Sequence, residues 1–479
     1  MRYIAKFLFC PLLFLVSFMA NAQCGQNCCN QTPWKGAVTK QDIAGNPQYY
    51  SNFTDEQLRL DFIFGGDAKS QNIYLSGLKG EPIWGGTRTN LVPTFSYGEY
   101  RLDVIDAASG NVIYAMGFNT LFQEWRTMEE AQHTPRAFKN SCRIPYPKNN
   151  VKVAISERLR EDGSYKQLAV FDIDPQDKSI NRDKENNFPV TRILDNGHPQ
   201  NKVDIVFVAE GYTAEQMDKF RSDVQKHVGY LFEMEPYKHR QSDFNIWAVE
   251  SVSQESGTDI PHHNIWKQTV ANSNFYTFKT DRYLTASDHT LLCQLTSNAP
   301  CDAIYVIVNT EKYGGGGIYN FYGLSMSDHA TTPQVFVHEF GHSFAGLADE
   351  YFYDTAESFI DMYNTAIEPW EPNITSLVDF DKKWKDMLSP GTPIPTPLPN
   401  AAAISAAAGR SATPANSATS ANSGANGQQQ VLGVYEGGGY MTKGIYRPVD
   451  NCRMRTNHAI GFCPVCQRAI ERMIDYYCK

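Results

Sequence analysis

A chain of 479 residues is too long for one ordinary hydrophobic core, so two domains with linkers are expected. A formal charge of −9 and a pI near 5.7 argue against a general binder of nucleic acid or anionic membrane.

The chain opens "MRYIAKFLFCPLLFLVSFMANAQC". Arg2 and Lys6 precede an apolar run from Phe7 to Met19, and Ala20-Asn21-Ala22 offers small residues for cleavage. The pattern is that of a signal peptide over 1–22, too short and wrongly flanked for a lasting membrane span. Lipid attachment at Cys24 is the lesser alternative, because Gln23 stands where a small residue is needed. The expectation is an exported protein with no integral span after signal removal, in the periplasm, at the cell surface or secreted. Once Cys10 leaves with the signal, an even number of the 11 cysteines remains, and an oxidising compartment makes disulfides the default.

Residues 45–175 read as a β-sandwich domain. Leu58, Leu60 and Phe62 alternate along "LRLDFIF", and "YRLDVIDAASGNVIYAM" and "VKVAISERLREDGSYKQLAVFDI" are hairpin candidates. The charged, turn-rich "DPQDKSINRDKENN" lacks the spacing and glycine of a calcium loop and reads as part of a solvated linker over 176–200. From 201 to 479 the pattern becomes α/β. "VDIVFVAEGYT" opens as a strand buried on both faces. Thr213 and Gln216 fit a capping box before a helix carrying Met217, Phe220, Val224, Val228 and Leu231. "FNIWAVESV" and "AIYVIVNT" are further strands, and "GIYNFYGLSMS" is an edge strand suited to holding an extended substrate. The glycine run in "YGGGG" has no Gly-Lys-Ser/Thr after it and reads as a flexible turn. An Ala/Ser-rich segment at about 399–430 is too poor in large apolar residues to order itself and reads as an insertion. The terminal "CPVCQRAIERMIDYYC" is a helix with Pro464 in its first turn.

Chemistry concentrates in "VFVHEFGHSFAGLADEY". Thr332 and Pro333 start a helix on which His338 and His342 lie one turn apart and face one way. Two imidazoles so placed suit Zn²⁺, and Glu339 beside the first can act as general base toward a water that the metal acidifies. The third ligand is less direct. Metzincins place it six residues after the second histidine, but here that position is Ala348. Asp349, one residue later, is the leading candidate. Glu350 and the later Glu357, Glu368 and Glu371 are the alternatives. A second zinc site from His458, Cys463, Cys466 and Cys478 is conceivable, though export favours disulfides among these cysteines.

"HEFGHSFAGLADEY", with "GGGYMTKGIYRP" and "NCRMR" downstream, resembles the IgA-peptidase family of bacterial zinc metallopeptidases. The resemblance implies an N-terminal β-sandwich followed by a metzincin-like zinc-peptidase domain, a multidomain α+β protein. It implies His338, His342 and Asp349 on Zn²⁺ with Glu339 as base. It also implies a methionine turn under the metal at Met454, with Met441 as competitor. Tyr440 or Tyr446 is a candidate donor to the oxyanion of the tetrahedral intermediate. The Ala/Ser-rich segment departs from the family pattern. The expected activity is zinc-dependent endopeptidase cleavage of proteins, with immunoglobulin A the partner the family name suggests. Rival readings are a surface glycan- or protein-binding protein with an inactive peptidase half, and a zinc amidase acting on cell-wall peptides.

Overall fold

The computed structural model describes residues 44–352, 362–398 and 431–479. The expected signal peptide, Glu357 and the 399–430 insertion lie outside the described residues, as do Cys24, Cys28 and Cys29. Among the described residues no helix is long and apolar enough to cross a membrane.

The N-terminal half packs two antiparallel sheets face to face. One has β1 (Phe53–Gly66) between β2 (Gln71–Glu81) and β5 (Arg136–Pro147). The other runs β4 (Val112–Phe118), β3 (Tyr100–Asp106), β6 (Val151–Arg158), β7 (Tyr165–Ile173). Strand periodicity explains the layer: Leu58, Leu60, Phe62 and Phe64 are fully buried on one face of β1. Phe64 meets Tyr100 edge-on at 5.2 Å and Phe62 meets Phe171 at 5.6 Å, closing the sandwich with aromatic contacts.

The expected linker keeps most of its charges in solvent, with Asp174, Asp177, Lys178, Arg182, Asp183 and Lys184 exposed, but Glu185 and Asn186 tie it down. Glu185 grips the buried Arg59 with two hydrogen bonds of 2.6 and 2.9 Å, and Asn186 donates to Gln294 O at 2.6 Å. Arg59 needs that partner, because a guanidinium held inside a sheet is costly without carboxylates around it. Within the same expected linker, β8 (Val190–Leu194) is already a strand of the second sheet.

That sheet has six strands in the order β14-β15-β13-β9-β10-β8. Its parallel centre is β9 (Val203–Glu210), β10 (Phe244–Val249), β13 (Ala303–Val308) and β15 (Tyr322–Met326), with antiparallel edges β8 and β14 (Gly315–Ile318). All eight residues of β9 are buried, as its continuous apolar run demands. Thr213 and Gln216 form the capping box, and the helix Met217–Phe232 follows. A two-residue pair, β11 (Ser273–Asn274) and β12 (Thr285–Ala286), and the hairpin β16 (Tyr435–Gly438)–β17 (Met441–Arg447) complete the strands described.

The sandwich braces the second sheet near the candidate site. Asn119 N donates to Tyr319 O at 2.9 Å and Asn320 Nδ2 to Gly117 O at 2.8 Å, gripping the β14–β15 turn. His289 joins the halves too: its Nδ1 accepts from Ser141 N at 3.1 Å, so its Nε2–H is left to donate to Phe321 O at 3.1 Å. Both ring nitrogens are therefore used by the neutral tautomer. Burial pushes the pKa of His289 down to about 3 and that of His227 down to about 4.

Each histidine takes up a proton near pH 6.5 once unfolded. Between that value and the folded pKa the unfolded chain binds more protons, so stability rises with pH and falls on acidification. Lowering the pH from 7 to 4 is expected to remove roughly 3 kcal/mol for each. Urea midpoints across this range check it, with His289→Gln flattening the slope. An unchanged slope in that variant contradicts the assignment.

Candidate metal centre

The helix Thr332–Ala345 begins with Pro333 in its first turn, where a missing N–H costs nothing. Phe336, Phe340 and Phe344, spaced four apart, bury against the sheet, with Phe336 edge-on to Tyr305 at 4.7 Å. His338 and His342 fall on the other face, each about 15% exposed. Gly346, at φ +63°, ends the helix in the left-handed cap; its N–H reaches His342 O at 3.0 Å and Leu347 N reaches Gly341 O at 3.2 Å.

This cap turns the chain so that Asp349 returns to the histidines. Asp349 Oδ1 lies 3.1 Å from His338 Nε2 and 3.3 Å from His342 Nε2, and the two Nε2 atoms are 3.0 Å apart. The extra residue relative to a metzincin turn is absorbed by a stitched loop. Asn373 bonds Ala348 N and O at 2.7 and 2.9 Å, Gly439 N holds Asp349 O at 2.8 Å, and Glu350 N holds Met454 O at 2.8 Å.

His338 Nδ1 faces Arg453 O at 3.0 Å and His342 Nδ1 faces Leu347 O at 2.5 Å. Carbonyls only accept, so each Nδ1 carries the proton and each Nε2 presents a lone pair. Asp349 Oδ1 is buried and has no hydrogen-bond donor. Three acceptors thus converge at a spacing close to the ~3.3 Å edge of a tetrahedron with 2.0–2.1 Å ligand bonds. A metal ion fits them.

Burial pushes the His342 pKa down, but Asp349 and Glu339 more than offset this and hold it up at about 9. Burial likewise raises Asp349, yet the two imidazoles reverse it and leave the carboxyl well below its usual range. Glu339, on the same helix, is raised by burial despite the histidines beside it.

The glycine run expected to be a flexible turn is β14, laid flat on the helix. A Cβ at Gly315 would meet Val335 Cγ1 at 2.9 Å and Glu339 Cγ at 3.0 Å; one at Gly317 would meet Glu339 O at 2.3 Å. Only glycine permits that approach. The expected edge strand 317–327 is in fact divided between β14 and the interior strand β15, and Leu284 N already donates to Gly315 O at 3.4 Å. Substrate pairing along Gly315 is therefore blocked.

Met454 is fully buried, and its Sδ lies 2.9 Å from where a Cβ on Gly341 would stand, beneath the histidine-bearing helix. Met441 belongs to a separate cluster with Ala348, Ile374 and Ile445. The hydroxyl of Tyr440 donates to Asp349 Oδ2, placing it at the site as a support for that carboxylate. Tyr446 lies on β17, paired through its backbone with Glu436 and Thr375; no described contact joins it to the histidines or Asp349.

Glu368 and Glu371 are occupied elsewhere, with Ser376 and Asp379 N and with Tyr363 respectively. Glu350 points away from the histidines into a cluster with Cys452, Cys463 and Cys466. That corrects the expected second set: His458 is exposed, and Cys478 Sγ lies by Asp243 O at 3.6 Å. None of the seven described cysteines forms a disulfide.

Two neighbours escaped sequence reasoning. Tyr283 lies across β14 and donates its hydroxyl to Glu124 from the sandwich; burial raises that carboxyl to about 7. Arg282 stands 6.0 Å from the Tyr351 ring. No local pattern marks them, because they meet the site only through tertiary packing.

No curated protein matches the sequence. The family profile for IgA peptidase M64 matches residues 191–474, and that for the peptidase M64 N-terminus matches residues 48–168, the span of the sandwich. With both halves matched, and the histidine pair and its returning aspartate inside the larger match, the chain belongs to the IgA peptidase M64 family and is a peptidase.

Proposed function

We propose that this chain is an exported, zinc-dependent endopeptidase acting on proteins, with glycoproteins of the immunoglobulin A kind as the first substrates to test. The observation that carries the metal dependence is the convergence of His338 Nε2, His342 Nε2 and Asp349 Oδ1 within 3.3 Å. Bound there, Zn²⁺ would polarise the scissile carbonyl and acidify water. Glu339, one residue from His338, takes the proton from the attacking water and passes it to the leaving amine nitrogen. Arg453 O and Leu347 O fix the ring orientations, and Tyr440 holds the second oxygen of Asp349. Export rests on the signal-peptide pattern of the first 22 residues.

The test is chelation and metal return, assayed on immunoglobulin A, an unrelated unfolded protein and cell-wall peptides. Protein cleavage should fall to background on chelation and recover with Zn²⁺. Chelator-resistant cleavage rejects the metal reading, and cleavage of cell-wall peptides alone rejects the endopeptidase. Cleavage of the unfolded protein but not immunoglobulin A keeps the enzyme and discards that substrate.

A further inference from the structure

Away from the candidate catalytic residues, a second group of metal-binding side chains is fully buried. Cys452, Cys463, Cys466 and Glu350 are each 0% exposed, and their donor atoms all lie within 4.8 Å of one another. Cys452 Sγ and Cys466 Sγ are 3.7 Å apart. A disulfide needs about 2.05 Å. A tetrahedral zinc with bonds of ~2.3 Å to sulfur places its thiolates ~3.8 Å apart, which is the spacing seen.

Backbone N–H groups point at the sulfurs, as thiolates require. Cys463 N donates to Cys452 Sγ at 3.3 Å and Cys466 N to Cys463 Sγ at 3.5 Å, the latter across the four-residue "CPVC" turn that opens the C-terminal helix. A thiol and a carboxylate also meet here, Cys466 Sγ lying 3.2 Å from Glu350 Oε1. The other oxygen, Glu350 Oε2, is buried with no hydrogen-bond partner. An ionised carboxyl in that position is expensive unless a cation answers it.

We propose that Cys452, Cys463, Cys466 and Glu350 form a second zinc site, structural in kind. Four protein donors complete a tetrahedron and leave no open position for water or substrate, the mark of a structural centre. Three soft sulfurs with one carboxylate oxygen suit Zn²⁺ better than Mg²⁺ or Ca²⁺, which take oxygen ligands. Binding would release the thiol protons as the thiolates form.

The position gives the ion a task. Glu350 follows Asp349 directly, and Cys452 lies two residues before Met454, whose carbonyl holds Glu350 N. Between them Arg453 O orients His338. The ion would therefore bolt the turn carrying the aspartate to the segment beneath the histidine-bearing helix. This site does not depend on the catalytic reading, since it uses none of the same ligands.

The experiment is zinc analysis of the purified full chain together with peptide mapping without reductant. Two zinc ions per chain are expected, with Cys452, Cys463 and Cys466 resisting iodoacetamide until the protein is denatured in chelator, when all three alkylate. His338→Ala/His342→Ala should keep one zinc, and Cys463→Ser/Cys466→Ser should also keep one, with a lowered melting temperature. Where either variant fails to fold, the wild-type stoichiometry and map decide. Loss of all zinc from a folded His338→Ala/His342→Ala, alkylation of these cysteines in the native chain, or a disulfide recovered among the three overturns the proposal.

Discussion

Glu339→Gln is expected to lower kcat by about 10²- to 10⁴-fold while leaving the metal content of the protein unchanged. The amide keeps the shape of the side chain in its narrow slot, where Gly315 lies against its Cγ and Oε1. What it loses is the ability to accept a proton from water. The measurement also separates two arrangements of one cluster. His338, Glu339 and His342 could by themselves surround an ion, with donor atoms within 4.8 Å. Asp349, however, lies 3.1 and 3.3 Å from the two Nε2 atoms and has no hydrogen-bond donor on Oδ1. If Glu339 were the third ligand, Glu339→Gln would lose metal along with activity, and Asp349→Ala would keep it. With Asp349 as ligand the pattern reverses. Turnover at the wild-type rate in Glu339→Gln would remove the general base from the mechanism altogether.

The histidine pair was legible because helix geometry alone puts residues four apart on one face; the burial of Phe336, Phe340 and Phe344 on the opposite face came from the fold. Asp349 was less legible. Its return depends on Asn373, Gly439 and Met454, which lie 24 or more positions downstream and stitch the turn from outside. Sequence spacing could count the additional residue but could not show what absorbs it. Strands and hairpins of the sandwich followed their two-residue period, whereas the 176–200 segment read only in part. Most of its charges are exposed, as their density suggests, but Glu185 is consumed by Arg59, a cation that β1 buries over a hundred residues earlier. The cysteines illustrate the same limit. Even count and export suggested pairing, while the folded positions bring three thiols and a carboxylate together instead.

Gly317→Ala is expected to disable the site more thoroughly than its size suggests. Its Cβ would stand 2.3 Å from the carbonyl oxygen of Glu339 and 2.9 Å from His342 Cβ. The first is backbone, so no rotamer change relieves it; either β14 or the helix must move. Overpacking of this kind costs roughly 1–3 kcal/mol, and more where backbone is struck. The catalytic loss should exceed the stability loss, because a shift of about 1 Å in a reacting group costs on the order of 10²-fold in rate. Gly229 supplies the contrast. It lies inside the helix Met217–Phe232, and a Cβ there meets nothing within 4 Å. Gly229→Ala should therefore stabilise the protein by about 0.5–1 kcal/mol and leave turnover alone. If β14 is the seat of the helix, thermal melts of the two variants shift in opposite directions and steady-state turnover falls in Gly317→Ala alone. Equal, small effects from both would mean that the strand yields freely, and that the glycines were a flexible turn after all.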